Sequence, residues 1–349
     1  MLTTVFNDLI GCPIPLQNAG MGSSSPRLAV AVAKAGALGM LSGAMMPAER
    51  LENILDGLDD PAPGRLGVNF LMPFLEDPEV VDVAAERVRV VEFFYGDPEP
   101  SLVVRAKKRG ALVSWQVGSV EEAKQAVAAD CDFVVVQGVE GGGHIRGRVS
   151  LMTLLPSVLE VVEIPVVAAG GIATPRAMAA ALVAGAAAVR VGTRFAATPE
   201  VGHHPEYLRA LVNARMEDAV YTDKFSIMWN APHRVLRGAL EAAEAFEGDI
   251  VGQVEVDGQK LDVPRLSVFS PIDTATGEVG AMAQYAGQSV GEVTSIQPAA
   301  EIVRELAAGA EELLRSRLSA LTGERRVPSS PEREEEQNGA RRDGVEFRG

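Results

Sequence analysis

Eight short, almost uninterrupted apolar runs constrain this chain more than any other feature. They are Ile14–Asn18, Leu38–Leu41, Leu66–Phe70, Val90–Phe94, Leu112–Gln116, Phe133–Gln137, Pro165–Ala169 and Ala188–Gly192. Their starts lie 21 to 32 residues apart, and most intervals hold a helix-period stretch such as Pro26–Ala35, Val120–Ala129 or Pro175–Val183. Runs without polar alternation suit a parallel sheet covered on both faces. Helix punctuation agrees: Thr174-Pro175 reads as an N-cap followed by proline at the first helical position, Gly185 as the stop, and Ser119 with Glu122 as a capping box. Eight βα units closing on themselves make an α/β fold of the (β/α)8 barrel type, with its chemistry on the loops after the strands.

The main competitor is a doubly wound open sheet, which would carry G-x-G-x-x-G after its first strand. Here that turn reads Gly20-Met21-Gly22-Ser23-Ser24-Ser25, without the last glycine. The barrel is assigned to residues 1–200 and a smaller cap or insertion region to 201–321. In the cap, Tyr207–Ala219, Pro232–Phe246 and Ala299–Leu318 read as helices, and Ile250–Val256 and Leu261–Phe269 as strands around Asp257-Gly258. Residues 322–349, with a Glu334-Glu335-Glu336 run and few apolar side chains, read as a disordered tail.

Charge narrows the partners. With 47 acidic against 32 basic side chains the formal charge is −15, which argues against a nucleic-acid surface. The apolar runs are far shorter than a membrane span and no export signal is visible, so no membrane is expected and the cytoplasm is the default address. Cys12 and Cys131 make neither a disulfide framework nor a zinc site.

The strongest chemical signal is Gly170-Gly171 closing the seventh run and Gly192-Thr193 closing the eighth. In a barrel these loops are neighbours, offering bare N–H groups, a hydroxyl and a helix N-terminus to a phosphate. After the sixth run comes Gln137-Gly138-Val139-Glu140-Gly141-Gly142-Gly143-His144. Glycines are costly to order, so three together imply close approach to a ligand, and His144 beside them is a natural general acid or base. Asn69, Gln116 and Gln137 place amides, which both donate and accept, at strand ends where a heteroaromatic ring could sit. Weaker signals are set aside. His203-His204 reads as loop or supporting residues rather than metal ligands, and Met228 and Trp229 as core or pocket lining. Gly287-Gln288-Ser289-Val290-Gly291 matches G-x-S-x-G, but no histidine follows it.

Taken in order, Pro15–Gly22, Gly67-Val68-Asn69, Gln137–His144, Ile164–Ile172 and Gly192–Phe195 resemble the nitronate monooxygenase family, formerly called 2-nitropropane dioxygenases. The resemblance implies an FMN-dependent barrel. By motif, Asn69, Gln137 and Gly142 would contact the flavin, Gly171 and Arg190–Thr193 would hold its phosphate end, and the loop around Met21 would pack on the isoalloxazine. His144 would be the catalytic histidine; separately, and from charge alone, Arg190 or Arg194 would add positive field. The chain departs from the family pattern at Arg190, where glutamine is usual, at the inserted Ile145, and along Thr222–Pro232. The implied reaction is oxidation of an alkyl nitronate by O2 to a carbonyl compound and nitrite, on a small-molecule substrate, with a homodimer left open. The alternative, from the Gly-Gly-His-Ile pattern shared with flavin-type enoyl-acyl carrier protein reductases, is NADH-dependent reduction of an enoyl thioester or a quinone. A non-catalytic phosphate binder would leave His144 without a task.

Overall fold

The computed structural model describes residues 2–58 and 64–322; the expected tail lies outside them, apart from Thr322. Eight parallel strands form the barrel: β1 (Leu16–Asn18), β2 (Gly39–Ser42), β3 (Leu66–Leu71), β4 (Val90–Phe94), β5 (Leu112–Val117), β6 (Phe133–Gln137), β7 (Val166–Ala169) and β8 (Ala188–Val191). From β2 to β8 each pairs with the next in sequence, and β1 lies beside β8 with Gln17 opposite Arg190. The Leu38 amide donates to Leu16 O at 2.9 Å, linking β1 to β2.

The helices are α1 (Val5–Ile10), α2 (Pro26–Lys34), α3 (Ala48–Asp56), α4 (Glu79–Arg87), α5 (Pro100–Lys107), α6 (Val120–Ala128), α7 (Leu151–Leu159) and α8 (Pro175–Val183), and the punctuation expected for α6 and α8 can be checked directly. Thr174 Oγ1 caps α8 by accepting from Ala177 N at 3.2 Å. The α6 box is half made: Ser119 caps Glu122 N, but the Glu122 carboxylate reaches Gly118 N at 2.7 Å. The barrel floor is apolar, with Phe6 and Ile10 of α1 packed on Met40, Val90, Phe133 and Val167. Cys12 and Cys131 are buried and free.

The cap is spliced into the eighth βα unit. After β8 the chain forms α9 (Pro205–Asn213), β9 (Ala219–Thr222), β10 (His233–Leu236), α10 (Arg237–Ala245), and the hairpin β11 (Ile250–Val256) and β12 (Gln259–Pro264). Only then does α11 (Ala299–Thr322) pack between α8 and α2, completing the barrel's outer ring. The β11–β12 turn places Asp257 and Gly258 at φ 52° and 77°, the left-handed pair a tight hairpin needs.

Three readings are corrected. Pro232–Phe246 is not one helix: His233–Leu236 pairs antiparallel with β9 and with the two-residue strand Gly143–His144 before α10 begins. Sheet pairing there overrides the local helical pattern. The helix expected over Tyr207–Ala219 runs from Pro205 to Asn213, and the second strand of the hairpin ends at Pro264 rather than Phe269. Among the described residues no helix is long and apolar enough to cross a membrane.

Candidate active site

Side chains alternate in and out along each strand, so residues sharing a register level meet inside the barrel. Above the apolar floor one level is polar: Asn69 pairs in register with Glu92, Glu92 with Ser114, and Gln17 with Arg190. Glu92 is fully buried and Arg190 only 5% exposed. The Glu92 carboxylate accepts from Asn69 Nδ2 at 2.7 Å, Ser114 Oγ at 3.1 Å and Arg190 Nη2. Arg190 also donates to Gln116 Oε1, and Gln17, with its amide oxygen turned inward, accepts from Arg190 Nε at 2.9 Å. Both charges are therefore matched, as a buried network requires. The Arg190 guanidinium is engaged inside the barrel rather than at a phosphate turn. Arg194 points outward, to Ala173 O, Gln297 and Glu305 of α11, so neither arginine offers an unmatched charge.

The glycine turns form a cradle of bare backbone. Gly170 and Gly171 sit at φ 109° and 71°, values that disfavour any side chain. Thr193 Oγ1 accepts from Gly287 N at 2.9 Å, so its own proton stays available to a ligand. Gly142 lies flat against the Ala286-Gly287 backbone: a Cβ there would meet Gly287 N, with Ala286 C at 2.7 Å. Gln137 holds the histidine loop, donating to His144 O at 3.1 Å and accepting from Arg146 N at 3.4 Å.

His144 stands on the edge of the cap sheet. Its ring stacks on Trp229 at 3.8 Å between centroids and lies 5.4 Å from both His233 and Tyr285. Nε2 is buried without a hydrogen-bond partner. Burial first, and the neighbouring His233 second, push its pKa down to about 3, so the imidazole is neutral across the physiological range. Such a ring has one lone pair and one N–H, both able to serve a reacting molecule.

All eleven candidate residues line one cavity of about 740 Å³ at the carboxyl ends of the strands: Met21, Asn69, Gln116, Gln137, Gly142, His144, Gly170, Gly171, Arg190, Gly192 and Thr193. Trp229, expected as core or pocket lining, does line the cavity, and around it the structure adds residues the sequence reading missed. Trp229 closes over His144, Phe74 and Tyr95 abut Trp229 at 5.3 and 4.6 Å, and the hairpin contributes Val254, Val256 and Leu261 to an apolar outer wall. Glu92 did carry a signal, as a lone acid in an apolar run facing the lone arginine of another. The Gly287–Gly291 pattern lies on a 3-10 turn, not at a strand-to-helix elbow.

A family model described as nitronate monooxygenase matches residues 64–309. A (3aS,4S,5R,7aS)-5-hydroxy-7a-methyl-1-oxo-octahydro-1H-indene-4-carboxyl-CoA dehydrogenase of Rhodococcus jostii is 38% identical over 256 residues, covering 72% of this chain and 71% of that protein. A probable nitronate monooxygenase of Staphylococcus saprophyticus is 30% identical, covering 64% of this chain and 76% of its own length. Among solved structures, FabK from Thermotoga maritima superposes with a TM-score of 0.74 at 29% identity, covering 93% of this chain and all of that one. Nitroalkane oxidase from Streptomyces ansochromogenes gives 0.70 at 30% identity, covering 90% and 100%.

Proposed function

The chain belongs to the nitronate monooxygenase family of flavin-dependent oxidoreductases, and from that premise we propose that its cavity holds FMN and acts on an acyl thioester. The residues fit the cofactor. Gly170, Gly171 and Gly192 leave backbone N–H groups uncovered by side chains where a phosphate would lie, and Thr193 keeps a hydroxyl proton to donate. Asn69, Gln116 and Gln137 face the same space for a polar ring edge, and Met21 offers a thioether to its face. Bound FMN supplies an acceptor and donor of two electrons.

His144 carries the proton. When a saturated thioester is oxidised, hydride leaves one carbon and the neutral imidazole takes the proton from its neighbour; in reduction of an enoyl thioester the same ring returns it. Burial under Trp229 keeps water from the ring, and Gln137 fixes the loop that carries it.

The observation favouring a thioester over a nitronate is charge. At the reacting end the imidazole is neutral and Arg190 is matched by Glu92, whereas an anionic nitronate calls for an unmatched cation there; of the other arginines lining the cavity, Arg50 pairs with Asp257 at 2.9 Å and Arg27, in the first turn of α2, donates to Ser25 Oγ at 3.3 Å. The apolar wall of Val254, Val256 and Leu261 also provides contact that a small nitroalkane does not need. The nitronate reading retains the family's description and its 30%-identical relatives, and is the second reading.

Anaerobic mixing separates the two. Bleaching of the bound flavin by NADH, then recovery of its colour on adding a 2-enoyl thioester, supports the thioester reading; indifference to NADH with nitrite release from a nitronate in air supports the other. In either case His144→Asn should lower turnover by about 100- to 10,000-fold while FMN stays bound. Unchanged turnover overturns the role of His144.

A further inference from the structure

A second histidine on the cavity wall has no part in the chemistry above. His203, 4% exposed, follows β8 where the chain enters the cap, and is bridged to Ile272. Its Nδ1 lies 3.0 Å from Ala196 O. A carbonyl only accepts, so Nδ1 carries the ring proton and Nε2 is a bare lone pair. That lone pair faces Ser23 Oγ at 2.9 Å, so the serine donates its only proton to the ring.

The separation is that of a nucleophilic serine and its base. Its surroundings argue for a different use. Tyr207 packs on the ring at 4.6 Å, and Asp273, the carboxylate facing it, is exposed. Burial outweighs the hydrogen bond to Ala196 O and the weaker attraction of Asp273 and pushes the His203 pKa down to about 4, so the ring does not keep a proton taken from Ser23. What it does is fix the direction of the Ser23 hydroxyl. With its proton committed, Ser23 turns only lone pairs toward the cavity it lines.

We propose that Ser23, oriented by His203, is a specificity residue that accepts a hydrogen bond from an N–H or O–H group of the substrate. The pair lies at the seam between the β1–α2 loop and the cap segment around Ile272, which also lines the cavity, so the donor is assigned to the substrate and FMN affinity is measured beside it to test that assignment. The inference rests on the thioester reading, since such molecules bring donors of two kinds: an amide in the thiol arm and a hydroxyl on the acyl chain. An acceptor held this way also disfavours a carbonyl or carboxylate at the same spot.

The test measures binding to FMN-loaded protein, independent of turnover. The probes are an acyl N-acetylcysteamine thioester, its N-methyl counterpart lacking the N–H, and the 3-hydroxyacyl form. The wild-type protein should favour one donor-bearing probe over its donor-free partner by roughly 5- to 15-fold, the yield of one hydrogen bond. Whichever pair shows the preference identifies the donor. Ser23→Ala should abolish that preference with FMN affinity unchanged, and Ser23→Thr, which keeps the hydroxyl, should restore it. Preference persisting in Ser23→Ala, absent from both pairs, or replaced by a loss of FMN affinity overturns the proposal alone. Failure of the wild-type protein to bind any probe overturns the thioester reading, and this inference with it.

Discussion

Replacing Glu92 by glutamine tests whether the polar level of the barrel is a matched network. The substitution keeps the shape and removes the charge from a fully buried site beside a guanidinium only 5% exposed. Arg190 would keep Gln116 and Gln17 as acceptors but lose its counter-ion. One of the two oxygens that now take Asn69, Ser114 and Arg190 would become an NH2 group, setting donor against donor. Breaking a buried pair by removing one partner costs about 3–5 kcal/mol. For a chain of this size that is a fall in Tm on the order of 5–15 °C. The assay is thermal unfolding of the wild type, Glu92→Gln, and the double variant Glu92→Gln with Arg190→Gln. The double variant should recover most of the loss, because neither charge is then left alone. A Glu92→Gln variant melting within about 1 °C of wild type, or a double variant less stable than the single, would refute the reasoning.

Two further outcomes follow from the same geometry. Gly142→Ala drives a methyl group into the Ala286-Gly287 backbone, which has no flexible side chain to yield, so it should cost about 1–3 kcal/mol and loosen FMN, read by unfolding and by flavin release on dialysis. Folding depresses the pKa of His144 to about 3 and of His203 to about 4, from 6.5. The unfolded chain therefore binds protons below about pH 6.5 that the folded chain refuses. Their stabilising contribution is complete above that pH and is lost on acidification toward those values, by up to about 1.4 kcal/mol per pH unit for each ring. Denaturant unfolding at pH 7.5, 6 and 5 should show a shallower decline in a His203→Gln variant than in wild type, and equal slopes would contradict this.

The barrel was legible because its strands are covered on both faces and helices such as α2 and α8 begin at capped, proline-marked positions; both signals lie within a few residues of each other. The glycine turns after β7 and β8 and the His144 loop, which share one cavity, were legible for the same reason, as local clusters at run ends. The cap was less so. His233–Leu236 becomes a strand only because β9 and Gly143–His144 offer edges to pair with, and nothing in its own residues announces them. Ser23 and His203 meet across 180 positions, and Trp229 reaches His144 from a loop with no periodic pattern. Such contacts belong to the closed fold rather than to any stretch of it.

The function of the buried pair follows from where it sits. A carboxylate and a guanidinium in a barrel interior contribute little net stability compared with apolar side chains of equal size. What they do is orient amides. Glu92 fixes the side chain of Asn69 and Arg190 fixes those of Gln116 and Gln17, so the groups facing the cavity are already aimed before a ligand arrives. Groups fixed in advance need no reorganisation when charge moves on a bound molecule, which is the condition under which dipoles assist a reaction most. The level below is apolar and sealed by α1, so water has no route to these groups from beneath. The barrel therefore holds a rigid polar floor under its mouth, its own β6–α7 loop brings His144 above that floor, and the cap supplies Trp229 and the apolar wall.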